Sequence, residues 1–525
     1  MSTVELQRRG VAEAPREPIW VPDTFVIIFF VVLAAVLLTH LVPAGQFETR
    51  EVTYTVGGTE ATKTVLVEGS FRYAAEAETD AAAATGGAAA SAAAEVKPDG
   101  IGLFESGGGV GLFNYAFEGL VSGDKWGSAV GIVAFILIVG GSFGIILRTG
   151  AIEDGIVLLI DKTKGREILF IPVMFTLFAL GGAVYGMGEE VIAFAMIIVP
   201  LAVALGYNAL TGVMMTYLAS QIGFGTSWMN PFSVAVAQGI AGVPVLSGAL
   251  FRVVMWATFV GAGIAYTMWY ASRIKRNPAA SLSLEADEYF RKDIAEQQAR
   301  REFTLGHWLV LATFVAGIVW IVWGVVVHAY YIPEIASQFF VIGIAAGIIG
   351  VIFRLNGMGV NDVAAGFREG LRDIVPSAMI VGMARGIILV LGGDDSASPS
   401  VLNTILHHAG QALDGLAPML GAWLMLVFQT VFNFFISSGS GQAALTMPLM
   451  APLSDMAGVS RQVAVLAFQL GDGITNSVIP TSAALMGVLG VARVSWPVWI
   501  MHIWPFWLIT FLLGTAFVLL GVVYF

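Results

Sequence analysis

Long apolar runs separated by short polar clusters fill most of this chain, and three kinds of run can be told apart. Uninterrupted runs of membrane-spanning length cover Phe25–Leu41, Ala129–Leu147, Leu250–Tyr270, His307–Val327, Ala336–Phe353, Ser377–Leu391 and Trp496–Tyr524. Two further runs, Leu210–Gly239 and Val463–Arg493, are interrupted midway. The first interruption reads Gln221-Ile-Gly-Phe-Gly-Thr-Ser-Trp-Met-Asn-Pro-Phe-Ser233, the second Phe468-Gln-Leu-Gly-Asp-Gly-Ile-Thr-Asn-Ser-Val-Ile-Pro-Thr-Ser482. Broken backbone survives at membrane depth only where it is buried in protein or lines a watery cavity, and discontinuous helices hold substrates and ions in secondary transporters. The third kind, Ile168–Gly206 and Met419–Met456, has the polar centres Gly186-Met-Gly-Glu-Glu190 and Ser437-Ser-Gly-Ser-Gly-Gln442, which predict re-entrant hairpins. The expected fold is an all-α polytopic membrane protein with nine transmembrane helices, two of them discontinuous, and two re-entrant hairpins.

The polar segments divide the chain. An N-terminal tail and first helix occupy 1–43, and an extracytoplasmic polar insertion 44–110. A first repeat covers 111–272, with its hairpin at 168–206 and its broken helix at 210–239. A cytoplasmic linker, 273–305, and two helices, 306–353, precede a second repeat, 354–525, with hairpin 419–456 and broken helix 463–493. Gly111–Gly123 and Asn361–Arg372 read as amphipathic interfacial segments, and Gly392–Gly415 as a polar loop. Ala74–Glu95 lacks the branched apolar residues that offset ordering entropy and reads as loosely structured, or as an Ala-rich helix.

Composition sharpens the class. Charged residues are 12% of the chain and mean hydropathy is +0.81, against roughly 25% charged in soluble domains. The net charge of −11 makes nucleic acid an unsuitable partner. The absence of cysteine excludes disulfides, thiol nucleophiles and Cys-based metal sites. Arg273, Lys275, Arg276, Arg291, Lys292, Arg300 and Arg301 place the linker in the cytoplasm, and Lys162, Lys164 and Arg166 mark a second cytoplasmic stretch. Arg8, Arg9 and Arg16 precede the first run, which reads as an uncleaved helix with a cytoplasmic N-terminus.

The two halves match in the same order at five places. Ala116-Phe-Glu-Gly-Leu120 answers Gly366-Phe-Arg-Glu-Gly-Leu371, and Gly144-Ile-Ile-Leu147 answers Gly386-Ile-Ile-Leu389. The hairpin tips correspond, Val199-Pro-Leu201 answers Ala451-Pro-Leu453, and Gln221-Ile-Gly-Phe-Gly225 answers Gln469-Leu-Gly-Asp-Gly473. Counting crossings gives equivalent elements opposite orientations and an extracytoplasmic C-terminus, which is the inverted-repeat plan of alternating access.

Tips and breaks are expected to meet near the midplane. Thr226, Ser227 and Asn230 in one half and Thr475, Asn476, Thr481 and Ser482 in the other offer oxygens to a solute or hard cation. Ser438, Gly439, Ser440, Gly441 and Gln442 form one polar tip; Gly188, Glu189 and Glu190 form the other. Sodium would sit at Thr226, Ser227 and Asn230 and at Thr475 and Asn476; a proton is the other candidate coupling ion, and no cofactor is expected. The bland reading is that single hydroxyls and amides merely bond between helices at about 0.6–2 kcal/mol each. Glu189, Glu190, Asp472 and Arg385 are costlier to insert, at roughly 2.5–3.5 kcal/mol each, and are candidates for solute, cation or proton binding; Arg385 alternatively pairs with one of these acids. His40, His407, His408 and His502 lack metal-site spacing.

Two other classes use similar motifs. An intramembrane protease would use Gly439-Ser-Gly441 or Gly471-Asp-Gly473, but no base or second aspartate is suitably placed. A channel would share the broken helices.

The motifs resemble a known family. Pro22-Asp-Thr-Phe25, Val42-Pro-Ala-Gly-Gln-Phe47, Gly188-Glu-Glu190, Gly225-Thr-Ser-Trp-Met-Asn-Pro231, Ser437-Ser-Gly-Ser-Gly-Gln442 with Pro448, and Gly473-Ile-Thr-Asn-Ser-Val-Ile-Pro-Thr-Ser482 resemble the YfcC branch of the C4-dicarboxylate anaerobic carrier (DcuC-like) family, in the ion transporter superfamily. The likeness covers almost the whole chain except Glu48–Ser106. It implies a homodimer in a prokaryotic plasma membrane, with a scaffold part, a moving part, and cation binding at tips and breaks. The sodium symporters of that superfamily carry Ser-Asn-Thr at both tips, which this chain does not. The acidic tip favours a solute with a carboxylate and an amine, an amino acid and a basic one among the options, over a C4-dicarboxylate.

Overall fold

The computed structural model describes residues 23–56, 59–77, 96–98, 100–126, 128–152, 155, 167–230, 232–244, 246–298, 304–328, 330–413 and 415–525. Arg8, Arg9, Arg16, Lys162, Lys164, Arg166, Arg300, Arg301 and most of the Ala-rich stretch lie outside them. The first helix, α1 (Thr24–Thr39), is capped by Asp23, whose carboxylate accepts from Phe25 N at 2.9 Å. Then come β1 (Gly45–Gln46), β2 (Thr49–Val56), β3 (Thr59–Leu66) and β4 (Arg72–Tyr73), followed by α2 (Tyr115–Val121), α3 (Ser128–Arg148), α4 (Phe170–Tyr185) and α5 (Val191–Ala204). Helix α6 (Ala209–Val213) passes through a π-helical turn (Met214–Leu218) into α7 (Ala219–Gly225); α8 (Val234–Ala241), α9 (Ala249–Arg276) and the linker helix α10 (Leu284–Gln298) follow. The second half holds α11 (Leu305–His328), α12 (Ile332–Ile352), α13 (Val360–Val390), α14 (Val401–Leu413), α15 (Pro418–Phe432), α16 (Gly439–Met456), α17 (Arg461–Thr475), α18 (Ala483–Val491) and α19 (Trp496–Tyr524).

The protein is a mostly helical, multi-pass membrane protein. Among the described residues seven helices are long and apolar enough to cross a bilayer: α3, the stretch from Glu167 through α4, α9, α11, α12, α13 and α19. The expected nine differ because α1 has 16 residues and because each interrupted run is divided into pieces too short to span. Helix α4, which the sequence suggests as a hairpin arm, is with the turn before it long enough to cross.

Three expectations change. Asn361–Arg372 and Ser377–Leu391 are not separate; they form one helix, α13, because its polar first turns find partners on α3. Arg148 binds Asp362 at 2.6 Å and Glu369 at 3.5 Å. Gly471-Asp-Gly473 does not interrupt α17, which continues to Thr475, so the break falls at residues 476–482. The polar segment Gly392–Gly415 is not a loop throughout, since it holds α14; in the insertion, most of whose Ala-rich stretch lies outside the described residues, β2 and β3 pair antiparallel over their full lengths. Its base is tied to the other half of the chain, since Ser400 N donates to Gly45 O at 2.9 Å, Phe47 N to Ser396 O at 2.8 Å, and Phe71 stacks on His407.

Close backbone approach explains the glycines. A Cβ at Gly144 would lie 2.7–2.8 Å from Gly370, and one at Gly119 would lie 2.8–3.1 Å from Gly386. These two contacts interchange when each residue is replaced by its counterpart in the other half, as in a self-complementary two-fold interface. Gly225 and Gly473, themselves counterparts, meet each other: a Cβ on Gly225 would be 3.1 Å from the Gly473 Cα. Packing pairs follow the same exchange. Helix α4 lies along α7 and α9, and α15 along α17 and α19, while α5 packs on α18 and α16 on α8.

Replacing Gly473 with Ala would drive a methyl into the Gly225 backbone, with no side chain to yield. The expected cost is about 1–3 kcal/mol of overpacking, read as a lower melting temperature in detergent. The control, Gly261→Ala on α9, meets nothing within 4 Å and should leave melting unchanged or slightly raised.

Candidate functional site

A cavity of about 530 Å³ lies where the two tips and the two breaks converge. Its walls include Gly186, Glu189 and Glu190 of the first tip, Gln221 and Phe224 of α7, and Ser437, Ser438, Gly439, Ser440 and Gly441 at the second tip. Asn476, Thr481 and Ser482 come from the second break, Arg385 from α13, and Phe232, Tyr331 and Phe435 add aromatic faces. Gly188, Thr226, Ser227, Asn230, Gln442, Asp472 and Thr475 are not on the cavity wall.

Local folding aims helix N-termini inward. Ser438 caps α16 and accepts from Gly441 N at 3.3 Å; Ser482 caps α18 and accepts from Leu485 N at 3.4 Å. The first residues of both helices line the cavity, so their free N–H groups and positive dipole ends favour an anionic group there. Gly186, left-handed at φ 76°, ends α4 and turns the chain toward α5. Glu190 folds back to accept from Gly188 N at 2.8 Å and is 9% exposed. Glu189 and Glu190 thus set two carboxylates opposite the helix N-termini, beside the Phe232 and Tyr331 rings, whose centroids are 5.2 Å apart. Carboxylates with aromatic faces suit an organic cation; helix N-termini suit a carboxylate.

The first break is held by its own side chains. Thr226 donates to Ile222 O, Ser227 donates to Ala183 O and accepts from Asn230 N, and Asn230 accepts from Phe232 N and donates to Gly182 O. Gln469 donates to Ser227 O, and its own oxygen accepts from Arg252 Nε at 2.9 Å, binding break, α17 and α9 together. The second break uses residues of other elements. Asn433 donates to Asp472 O at 3.0 Å and to Asn476 Oδ1 at 2.9 Å, and Tyr217 donates to Asn476 O at 2.7 Å and lies 2.9 Å from Ser482 Oγ. Thr481 donates to Phe434 O at 2.9 Å.

Behind the cavity wall, Asp472 is fully buried, its Oδ1 3.5 Å from Asn476 Nδ2. Among the described residues its Oδ2 finds no hydrogen-bond partner, nor do Thr475 Oγ1, Asn433 Oδ1 and Gln442 Oε1. A cluster of three or more His, Asp or Glu able to hold a metal is absent among the described residues. Arg385 is not paired with Glu189, Glu190 or Asp472; both its terminal nitrogens donate to Asp394, each at 2.8 Å. It lies near the end of α13, one turn from the loop that carries Asp394. Burial opposes ionisation of Asp394, but the Arg385 guanidinium outweighs it and holds the carboxyl below the usual carboxylate range.

Tyr217, Asn433, Tyr331 and Lys63 belong to this region, and the sequence reading did not single them out. Tyr217 and Asn433 carry the signal of a polar group inside an apolar run; Lys63 carries none, because its strand reads only as part of a polar insertion.

Comparison with known proteins places this geometry. The sequence profile described as C4-dicarboxylate anaerobic carrier matches residues 21–523. An Escherichia coli (strain K12) protein named "Putative basic amino acid antiporter YfcC" is 53% identical over 480 residues, 91% of this chain and 92% of that protein. An uncharacterized Haemophilus influenzae protein is 32% identical over 383 residues, 72% of each chain. Among solved structures, the Alcanivorax borkumensis YdaH transporter aligns over 96% of this chain and 99% of its own at 16% identity and TM-score 0.37. Neisseria gonorrhoeae MtrF, from a class of antimetabolite efflux pumps, aligns over 96% of both chains at 14% identity and TM-score 0.39. At those scores neither likeness bears on this chain's site.

Removing the Tyr217 hydroxyl (Tyr217→Phe) leaves Asn476 O and Ser482 Oγ without it. A loss of about 1–3 kcal/mol is expected for stranded buried acceptors, measured as thermal stability in detergent.

Proposed function

The chain belongs to the C4-dicarboxylate anaerobic carrier family, and from that premise we propose that it is a secondary active transporter of an amino acid, a basic one by preference. The observation that carries this reading is the pairing, in one cavity, of the Glu189 and Glu190 carboxylates with the inward N-termini of α16 and α18. The solute's ammonium or guanidinium binds at the carboxylates, and its carboxylate binds at the helix N-termini. The name of the Escherichia coli relative points the same way. A C4-dicarboxylate is the second reading, favoured by the family's description and opposed by two acids at the tip.

Alternating access in this reading uses the exchange symmetry of the contacts: the halves form an inverted repeat, and the tips 186–190 and 437–442 belong to re-entrant hairpins. The basic end of α9, Arg273, Lys275 and Arg276, supports a cytoplasmic linker, and with it a cytoplasmic N-terminus and an extracytoplasmic C-terminus in a plasma membrane. A homodimer is the assembly the family likeness suggests. The coupling ion is a proton or sodium. Unpartnered oxygens on Asp472, Thr475 and Asn433 support a cation behind the wall, whereas the hydroxyls of Thr226 and Ser227 and the amide of Asn230 are already spent on the turn. A protease is disfavoured because His502, 3.4 Å from Met214 Sδ, sits away from Ser438 and Ser440.

The test is counterflow in proteoliposomes preloaded with arginine and ornithine or with succinate and fumarate, with and without sodium. Arginine accumulation is expected; succinate alone would establish the second reading, and neither would overturn both. Glu189→Gln, Glu190→Gln and Asn476→Ala should each reduce transport at least about ten-fold, equivalent to about 1.4 kcal/mol, in protein that still elutes as a folded species. Wild-type rates in all three would remove these residues from the site.

A further inference from the structure

The β2–β3 hairpin reaches the cavity. Lys63, opposite Val52 in the ladder, lines the cavity together with Asp124, Trp126, Arg385 and Asp394. Residues two apart share a face of a strand, so Lys63 points to the same side as Val65, which is buried in the core at 1% exposure. Strand β3 packs on α16 and β2 on α8, so this side faces the protein. The base of the hairpin is fixed to Ser396 and Ser400, in the loop that also carries Asp394.

Lys63 and Arg385 stand on this wall with Asp124 and Asp394. Asp394 is held by the two-pronged Arg385 fork and also feels the Lys63 charge, while Asp124 accepts from Trp126 N at 2.9 Å, so neither acid is shown in a direct hydrogen bond with the Lys63 ammonium. An ammonium has three donors, and no ion pair of Lys63 within 4 Å is found among the described residues. The two acids of the first tip line the same cavity, and Glu190 is buried. A solute drawn inward by its cationic end therefore trails its carboxylate past Lys63.

We propose that Lys63 and Arg385 form an outer subsite for the solute carboxylate, met before the N-termini of α16 and α18, so that the β-hairpin is part of the transport path. This rests on the carboxylate-bearing solute proposed above. Asp394 acts as a positioning residue: its two hydrogen bonds fix the plane of the Arg385 guanidinium beside Lys63.

The experiment measures counterflow by wild type, Lys63→Ala and Lys63→Arg, with arginine and succinate as carboxylate-bearing probes and agmatine, which lacks a carboxylate, as competitor. Lys63→Ala is expected to raise the half-saturating concentration of the accumulated probe roughly three- to ten-fold, the range of a partly screened ion pair. Lys63→Arg should restore it, and neither the maximal rate nor the potency of agmatine should change. An unchanged half-saturation in Lys63→Ala, or an equal loss for agmatine, would overturn the subsite and reduce the hairpin to a brace. If the wild type accumulates neither arginine nor succinate, the solute assignment itself fails and the subsite with it.

Discussion

Backbone polar groups freed inside an apolar slab must find partners within the protein, and this constraint governs the centre of the molecule. Two interrupted helices end side by side where Gly225 meets Gly473, a contact that any Cβ would prise apart. Each end strands carbonyl and N–H groups. At the first, Ser227 and Asn230 close the turn on themselves and on the carbonyls of α4. At the second, Asn433 and Tyr217 arrive from α15's end and from the π-helical turn of the opposite half. The polar residues of the breaks therefore act first as structure, and the cavity is what remains where they do not meet.

That division gives the site its chemistry. The groups consumed by the breaks lie behind the wall, whereas the N-caps Ser438 and Ser482 and the acids Glu189 and Glu190 face the open volume. Helix starts supply positive potential without a basic side chain, and the first tip supplies negative charge with no ion pair found for either acid among the described residues. Asp472, one backbone thickness away behind Gly439, is close to the cavity and separated from it by the chain; a Cβ at Gly439 would lie 3.1 Å from its Oδ2.

Much of this was legible in the sequence because membrane depth makes polar residues conspicuous. The tips and breaks stood out against apolar runs, and the glycines of the matched segments, Gly144 with Gly386 and Gly225 with Gly473, are ones at which the backbones approach closely. What could not be read was pairing across distance. Arg385 was a candidate for solute or ion binding, with a deep acid as its alternative partner, but Asp394, nine residues on and just past the helix end, is what it binds. Gly471 and Gly473 looked like helix breakers, yet they serve close packing inside α17 while the break lies at 476–482. The hairpin was hidden for another reason: its sequence reads as part of a polar insertion, and among its described side chains Val65 and Leu66 are buried in the core with Val52 packed against it.

The central claim is that the volume between the two helix ends is a solute path opened to one side at a time. The chain has no cysteine, so a single Ser440→Cys on the cavity wall can be labelled without background. In oriented proteoliposomes a membrane-impermeant thiol reagent should modify it from one side at a time, with the reactive side changing as solute is moved across, and with protection by the transported solute. Simultaneous reaction from both sides would describe an open pore, and no reaction from either side in a transporting protein would place the path elsewhere.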